Sequence, residues 1–350
     1  MKSLIVNYEI LSKKISDKTI LSLSDLHDYP GGRKTDLIDT INNEEHDLTL
    51  ISGDIIQARK YEKGSLSQKR LKEFLHAISE KTPVFLGLGN HDLYGMPEEK
   101  VLIGYKDLAE ARPGMVFPLS NESKVLGDFR ITEFHPKHDA FSPAIQESGN
   151  ALLRFEHDYE ESGLDVPNDK LFNIIMCHNP KLFYQAISIG AQLKLDLNEK
   201  QTGRLIKLSN KMKVYDMCSS GHLHGGYIFL EAVLKDPSKY LDEGYWEMPM
   251  EKDINGRIAK IRPTVFKKTD MCRGTIYVGE LLKRIINLCD GSFYLKNSKN
   301  DEPILLTKEE ALKIIDTHNM IPVVINSGVN RFFNLPIDHP EVTKVKILKK

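Results

Sequence analysis

The stretch Thr19–His27, TILSLSDLH, is a run of apolar and β-favouring residues that ends in a carboxylate and an imidazole two positions apart. Isoleucine, leucine and threonine suit a buried strand, whereas Asp25 and His27 suit its end, and Tyr29-Pro30-Gly31-Gly32 supplies a turn, so the reading is strand followed by loop. The same grammar recurs downstream. Leu48–Ser52 runs into Gly53-Asp54, and Pro83–Leu88 into Gly89-Asn90-His91-Asp92. Leu171–Cys177 ends at His178-Asn179-Pro180, and Val214–Cys218 ends near Gly221-His222-Leu223-His224-Gly225-Gly226. In an α/β sheet the carboxyl ends of the strands open onto loops at a shared edge, so these polar residues are expected to converge on one site.

Between the strands, Asp36–Glu45, Ser67–Ser79 and Ser142–Tyr159 have helical spacing, and Val125–Phe134 reads as a hairpin turning at Gly127-Asp128. From Glu231 to Asn319 charged and aromatic residues mix without a clear period, ahead of a short helix at Lys308–Thr317; this stretch is read as an inserted, lid-like region. Strand character returns at Ile321–Ile325 and Val342–Leu348. The 350 residues are read as one elaborated domain, 1–350, with 231–319 inserted in it.

Composition narrows the function classes. With 41% hydrophobic and 28% charged residues, the chain can bury a sizeable core. Its 48 basic and 49 acidic residues leave a net charge of -1, which argues against stable nucleic-acid binding or an anionic membrane surface and favours a small or compact substrate. No apolar run reaches membrane-spanning length and the first residues interleave charge with apolar side chains, so a cytoplasmic enzyme without a membrane span is expected. The four cysteines, Cys177, Cys218, Cys272 and Cys289, form no C-x-x-C pair; Cys177 and Cys218 are expected to be buried packing residues. The sequence names no protein partner and no oligomeric state.

Aspartate, asparagine and histidine gathered at strand ends offer the oxygen and imidazole ligands that manganese, iron or zinc accept. The blocks Asp25-Leu26-His27, Gly53-Asp54, Gly89-Asn90-His91-Asp92, His178 and Gly221-His222-Leu223-His224, in that order, resemble the calcineurin-like metallophosphoesterase superfamily over roughly Ile20–Gly226. The Gly225-Gly226 pair and the C-terminal strands look most like its bacterial phosphodiesterase-type branch.

The resemblance implies a four-layer α/β/β/α sandwich and a dinuclear centre. Asp25, His27 and His224 would hold one ion, Asn90, His178 and His222 the other, with Asp54 bridging. Manganese is the favoured ion, with iron and zinc as alternatives. His91 would hold no metal but face the phosphate, and Asp92 would orient its imidazole. Two cations sharing a water would present hydroxide near neutral pH and neutralise phosphate oxygens during in-line attack. The implied activity is metal-dependent phosphodiester hydrolysis. The alternatives are a phosphomonoesterase and a catalytically silent scaffold of the same fold, against which the intact ligand set speaks.

Other polar residues are read more plainly. His135, His138 and His157 are expected on solvated loop or helix faces, outside the site. Asp28, Arg33 and Arg59 follow ligand blocks but are read as surface charge, and Gln57 stands where many relatives carry an acidic residue. Trp246, with Tyr240, Tyr245 and Phe266, is read as part of a small core of the inserted region rather than a wall for substrate.

Overall fold

The computed structural model describes residues 4–27, 37–56, 63–93, 97–137, 149–165, 167, 170–179, 182–183, 186 and 198–221, together with strands at 274–278, 283–287, 293–296, 304–306, 323–326 and 341–349. The Lys308–Thr317 helix, His138, His222, His224, Asp28, Arg33, Gln57, Arg59 and the aromatic group around Trp246 lie outside the described residues.

The first sheet contains β1 (Leu4–Ser12), β2 (Lys18–Leu23), β3 (Leu48–Ser52), β4 (Val84–Gly87), β5 (Val116–Pro118) and β15 (Glu341–Lys349), in the order β1-β15-β2-β3-β4-β5. Strands β2 to β5 are mutually parallel, and β15 runs antiparallel to β2 while pairing parallel with β1. The second sheet contains β6 (Ser123–Leu126), β7 (Phe129–Glu133), β8 (Phe172–Met176), β9 (Met217–Ser220) and β14 (Val323–Asn326), in the order β14-β9-β8-β7-β6. All its neighbours are parallel except the β6–β7 hairpin, which turns where Gly127-Asp128 was expected to turn it. A third sheet, β10 (Gly274–Val278), β11 (Lys283–Asn287), β12 (Phe293–Lys296) and β13 (Ile304–Leu306), is an antiparallel meander inside the region read as an insertion.

Alternation along each strand builds the layers. Ile20, Leu48, Leu50 and Phe85 from the first sheet meet Phe129, Ile131, Phe172, Ile174, Met176 and Met217 from the second in one buried cluster. The opposite face of the first sheet, with Leu21, Leu23, Ile51 and Leu86, is covered by α1 (Leu37–Asn43), α2 (Leu66–Ile78) and the pair α3 (Asn90–Leu93) and α4 (Glu98–Lys106). The far face of the second sheet is covered by α5 (Gly149–Glu161) and α6 (Glu199–Met212), which close over Ile175, Cys177 and Cys218. The result is the expected helix, sheet, sheet, helix order. Each fully buried Leu, Ile or Phe contributes roughly 1.5–3 kcal/mol.

Local signals place the helices. Ser65 caps α2 by accepting the N–H of Gln68 at 3.1 Å, and Leu71, Phe74, Leu75 and Ile78 make its buried stripe. A capping box of Asn198 and Gln201 starts α6, whose Leu205, Leu208 and Met212 face inward. Among the described residues no helix is long and apolar enough to cross a membrane.

Candidate active site

The parallel strands bring the expected residues to one edge. Asp25 and His27 follow β2, Gly53 and Asp54 follow β3, Gly89 to Asp92 follow β4, and His178 follows β8. Backbone hydrogen bonds stitch these ends together: Asp25 N–H to the Gly53 carbonyl at 3.1 Å, His27 N–H to the Asp54 carbonyl at 3.0 Å, and Gly221 N–H to the His178 carbonyl at 3.0 Å. The last bond keeps the residue preceding His222 beside His178, and a Cβ on Gly221 would stand 2.5 Å from Oδ2 of Asp25.

Close approach here is obtained with unusual backbone. Asp25, His27 and Asp54 have φ of 55°, 45° and 52°, and Gly53 has 90°. Such conformations in non-glycine residues cost of order 1–3 kcal/mol each and persist where surrounding structure holds them. Gly89 is packed against Asp54 so tightly that a Cβ on it would stand 2.6 Å from the Asp54 backbone nitrogen.

Two ligand groupings share Asp54. Asp25, Asp54 and His178 place one ligand atom each within 4.8 Å of one another, and so do His27, Asp54 and His91. Nε2 of His178 lies 3.1 Å from Oδ2 of Asp54 and 3.8 Å from Oδ1 of Asp25; Nε2 of His27 lies 3.8 Å and 4.0 Å from the same two carboxylates. Ligands bound about 2.0–2.2 Å from one ion are separated by such distances. Nδ1 of His178 donates to the Ser52 carbonyl at 2.7 Å, which turns Nε2 toward the carboxylates.

The electrostatics are those of a buried anionic pocket. Asp25 and Asp54 are 0% and 1% exposed. Burial raises the Asp54 pKa, but the attraction of His178, His27 and His91 outweighs it and holds the carboxyl well below its usual range. Burial lowers the pKa of His178, yet Asp54 and Asp25 bring it up to about 9. Carboxylates so placed demand positive charge, and a divalent cation at that point satisfies the demand. The hard-oxygen and imidazole donor set fits manganese, iron or zinc.

His91 differs from the others in being exposed, with its ring edge-on to that of His27 at 4.7 Å between centroids. Its backbone N–H donates to Oδ1 of Asp54 at 2.8 Å. Asp92 is buried and takes three backbone amides: Asp54 at 2.6 Å and Gly89 at 2.9 Å on Oδ2, and Ile56 at 3.2 Å on Oδ1. Burial, then the nearby charge of Asp54, pushes its carboxyl up to about 7 against the pull of those amides. Asn90 opens α3, half-buried at the same edge.

The calcineurin-like phosphoesterase profile matches residues 18–226, well over half of the chain and the span that carries every one of these strand ends. The chain belongs to the calcineurin-like phosphoesterase family. A phosphoesterase of this family is a metal-dependent hydrolase of phosphate esters, and the donor set here suits the metal. Among solved structures, a protein serine/threonine phosphatase from Saccharomyces cerevisiae with similarity to human phosphatase PP5 is similar at 12% identity, covering 87% of this phosphoesterase and 84% of that chain, with a TM-score of 0.24. No curated protein matches the chain significantly.

Outside the ligand set, sequence reading and structure part at His135. It was expected on a solvated face, but it is 3% exposed, because Glu133 and Asn121 engage it between the sheets. His157 is exposed as expected, and its Nε2 pairs with Glu161 at 3.1 Å. Cys177 and Cys218 are buried free thiols, their pKa values raised by burial. Sequence reading also missed a hydroxyl cluster beneath the site, where Ser219 Oγ lies 2.8 Å from Ser22 Oγ and 2.6 Å from Ser52 Oγ. Its one trace in the sequence is a serine late in each of three apolar strands.

Proposed function

We propose that this phosphoesterase is a dinuclear phosphodiesterase. Asp25, His27 and His224 would hold one ion and Asn90, His178 and His222 the other, with Asp54 shared between them and manganese the favoured metal. The observation that carries the reading is the position of Asp54, whose carboxylate belongs to two groupings of donor atoms within 4.8 Å, one with Asp25 and His178 and one with His27 and His91; the division of the ligands between the ions, and the exclusion of His91, follow the family resemblance and not these groupings. When bound, two divalent ions would supply neutralisation of phosphate oxygens and acidification of a shared water.

The chain's own groups do the rest. The hydrogen bond from His178 Nδ1 to the Ser52 carbonyl orients the ring so that Nε2 serves as the ligand atom. The Asp92 carboxylate holds the amides of Asp54 and Gly89, keeping the bridging residue and the Asn90 loop at constant separation. His91, exposed where Asp25, His27 and Asp54 are buried, faces the substrate phosphate and either stabilises its charge or gives a proton from its imidazole to the leaving oxygen. Preference for the diester rests on likeness to the phosphodiesterase-type branch and on the near-neutral charge of the chain.

Hydrolysis of bis-p-nitrophenyl phosphate and p-nitrophenyl phosphate by metal-stripped protein resupplied with manganese tests this. Manganese-dependent diester cleavage, abolished in Asp54→Ala together with metal binding and lowered by about 10²–10⁴-fold in His91→Ala with metal binding kept, is expected. Faster cleavage of the monoester would replace the diester reading with a phosphatase. Loss of metal from His91→Ala would overturn the role given to His91.

A further inference from the structure

Glu133 ends β7 on the face that points between the two sheets, two residues beyond Ile131 of the inter-sheet core, and is 1% exposed. Opposite it on β4 sits Gly87, where a Cβ would stand 3.3 Å from Glu133 Cγ, so a glycine leaves the room for this side chain. Oε1 of Glu133 accepts the backbone N–H of Leu88 at 3.2 Å, and Oε2 accepts that of Asn121 at 2.7 Å. Nδ1 of His135 lies 3.1 Å and 3.0 Å from the two oxygens, and its Nε2 faces Oε1 of Glu98 at 3.7 Å. A carboxylate in an inter-sheet core is strongly destabilising unless donors surround it, and here an imidazole and two amides do.

The placement matters because Leu88 is the first residue past β4 and leads into Gly89-Asn90-His91. Successive amides of that loop are held by two different buried carboxylates: Leu88 by Glu133 from the second sheet, and Gly89 by Asp92. The loop is thereby pinned across the sandwich, not only along its own strand.

We propose that Glu133, with His135 behind it, is a positioning residue that sets the Leu88–Asn90 turn and with it the ion held by Asn90. This rests on the dinuclear assignment above.

Manganese titration of the metal-stripped full-length protein, read by calorimetry and by electron paramagnetic resonance, tests it with Glu133→Gln. Glutamine keeps the volume but has one acceptor oxygen for two amides, so one ion is expected to bind as in the wild type and the other about 10–100-fold more weakly, and the coupled-pair signal gives way to that of an isolated ion. Two ions bound with wild-type affinity, or both weakened alike in a folded protein, would overturn the proposal. If Glu133→Gln does not fold, His135→Leu and His135→Gln decide: weakening of one ion in the leucine variant, largely restored by glutamine, which keeps an N–H donor, supports it, and wild-type binding in both overturns it. A wild-type protein that binds no paired ions sinks the dinuclear reading itself, a different result from intact pairing in Glu133→Gln.

Discussion

Oδ2 of Asp92 lies 2.6 Å from the backbone nitrogen of Asp54, so the residue next to His91 in the chain holds the end of a different strand. The same oxygen takes the N–H of Gly89, and Oδ1 takes that of Ile56. Replacing Asp92 with asparagine leaves one acceptor oxygen and turns an NH2 toward a backbone donor. An unsatisfied buried amide costs about 1–3 kcal/mol, so Asp92→Asn is expected to lower the urea midpoint accordingly and to weaken manganese binding. Unchanged values of both would show that the three amides are satisfied without the second oxygen.

Gly89→Ala should damage catalysis more than folding. The added Cβ would stand 2.6 Å from the Asp54 backbone nitrogen, which cannot rotate away as a side-chain tip could. The displacement falls on Asp54, the carboxylate proposed to bridge the two ions, and misplacing a reacting group by about 1 Å can cost 10²-fold. Initial rates beside a circular dichroism spectrum check this; a fully active Gly89→Ala protein would mean the loop has slack that the packing denies.

The serine cluster gives a stability prediction. Ser219→Ala removes the hydroxyl shared by Ser22 and Ser52, buried between the sheets. A loss of about 1–3 kcal/mol is expected in urea unfolding, and Ser219→Val should cost more, because its extra methyl groups press on both neighbours. A valine variant as stable as the wild type would show the sheets have room to part.

His135 sets a pH dependence. Burial lowers its pKa, but Glu133 and Glu98 outweigh burial and raise it from 6.5 to about 10. The folded-state value lies above the unfolded one, so the stabilisation is fully present below 6.5 and is lost as pH rises through about 10. Unfolding free energy of the metal-free protein, measured at pH 6, 8 and 10, should fall more steeply in the wild type than in His135→Gln. Parallel curves would contradict the assignment.

Much of the sandwich was readable strand by strand. Leu48–Ser52 was expected and found as β3, since a run buried on both faces is apolar throughout and announces itself. Where the pattern misled, packing explains it. Val214–Cys218 was expected as a strand, but β9 is Met217–Ser220: Tyr215 belongs with the helix layer, and Ser219 lies within the hydroxyl cluster. Strand β1, whose one charge is Glu9, was not anticipated; its pairing partner, β15, lies at the other end of the chain. Helix α6 went unread although its capping box, Asn198 to Gln201, is a local signal.

The sequence by itself determined which donor types stand at the strand ends, because Asp25, His27, Asp54, Asn90 and His178 are fixed by the chain whatever they pack against. Tertiary structure alone decided how those side chains are held. Asp92 reaches Asp54 across 38 positions, and Glu133 reaches Leu88 across 45. A carboxylate that caps a distant amide leaves no periodicity in the chain; its partner is chosen by which strands lie side by side in a sheet, as for Asp92, or face to face between sheets, as for Glu133.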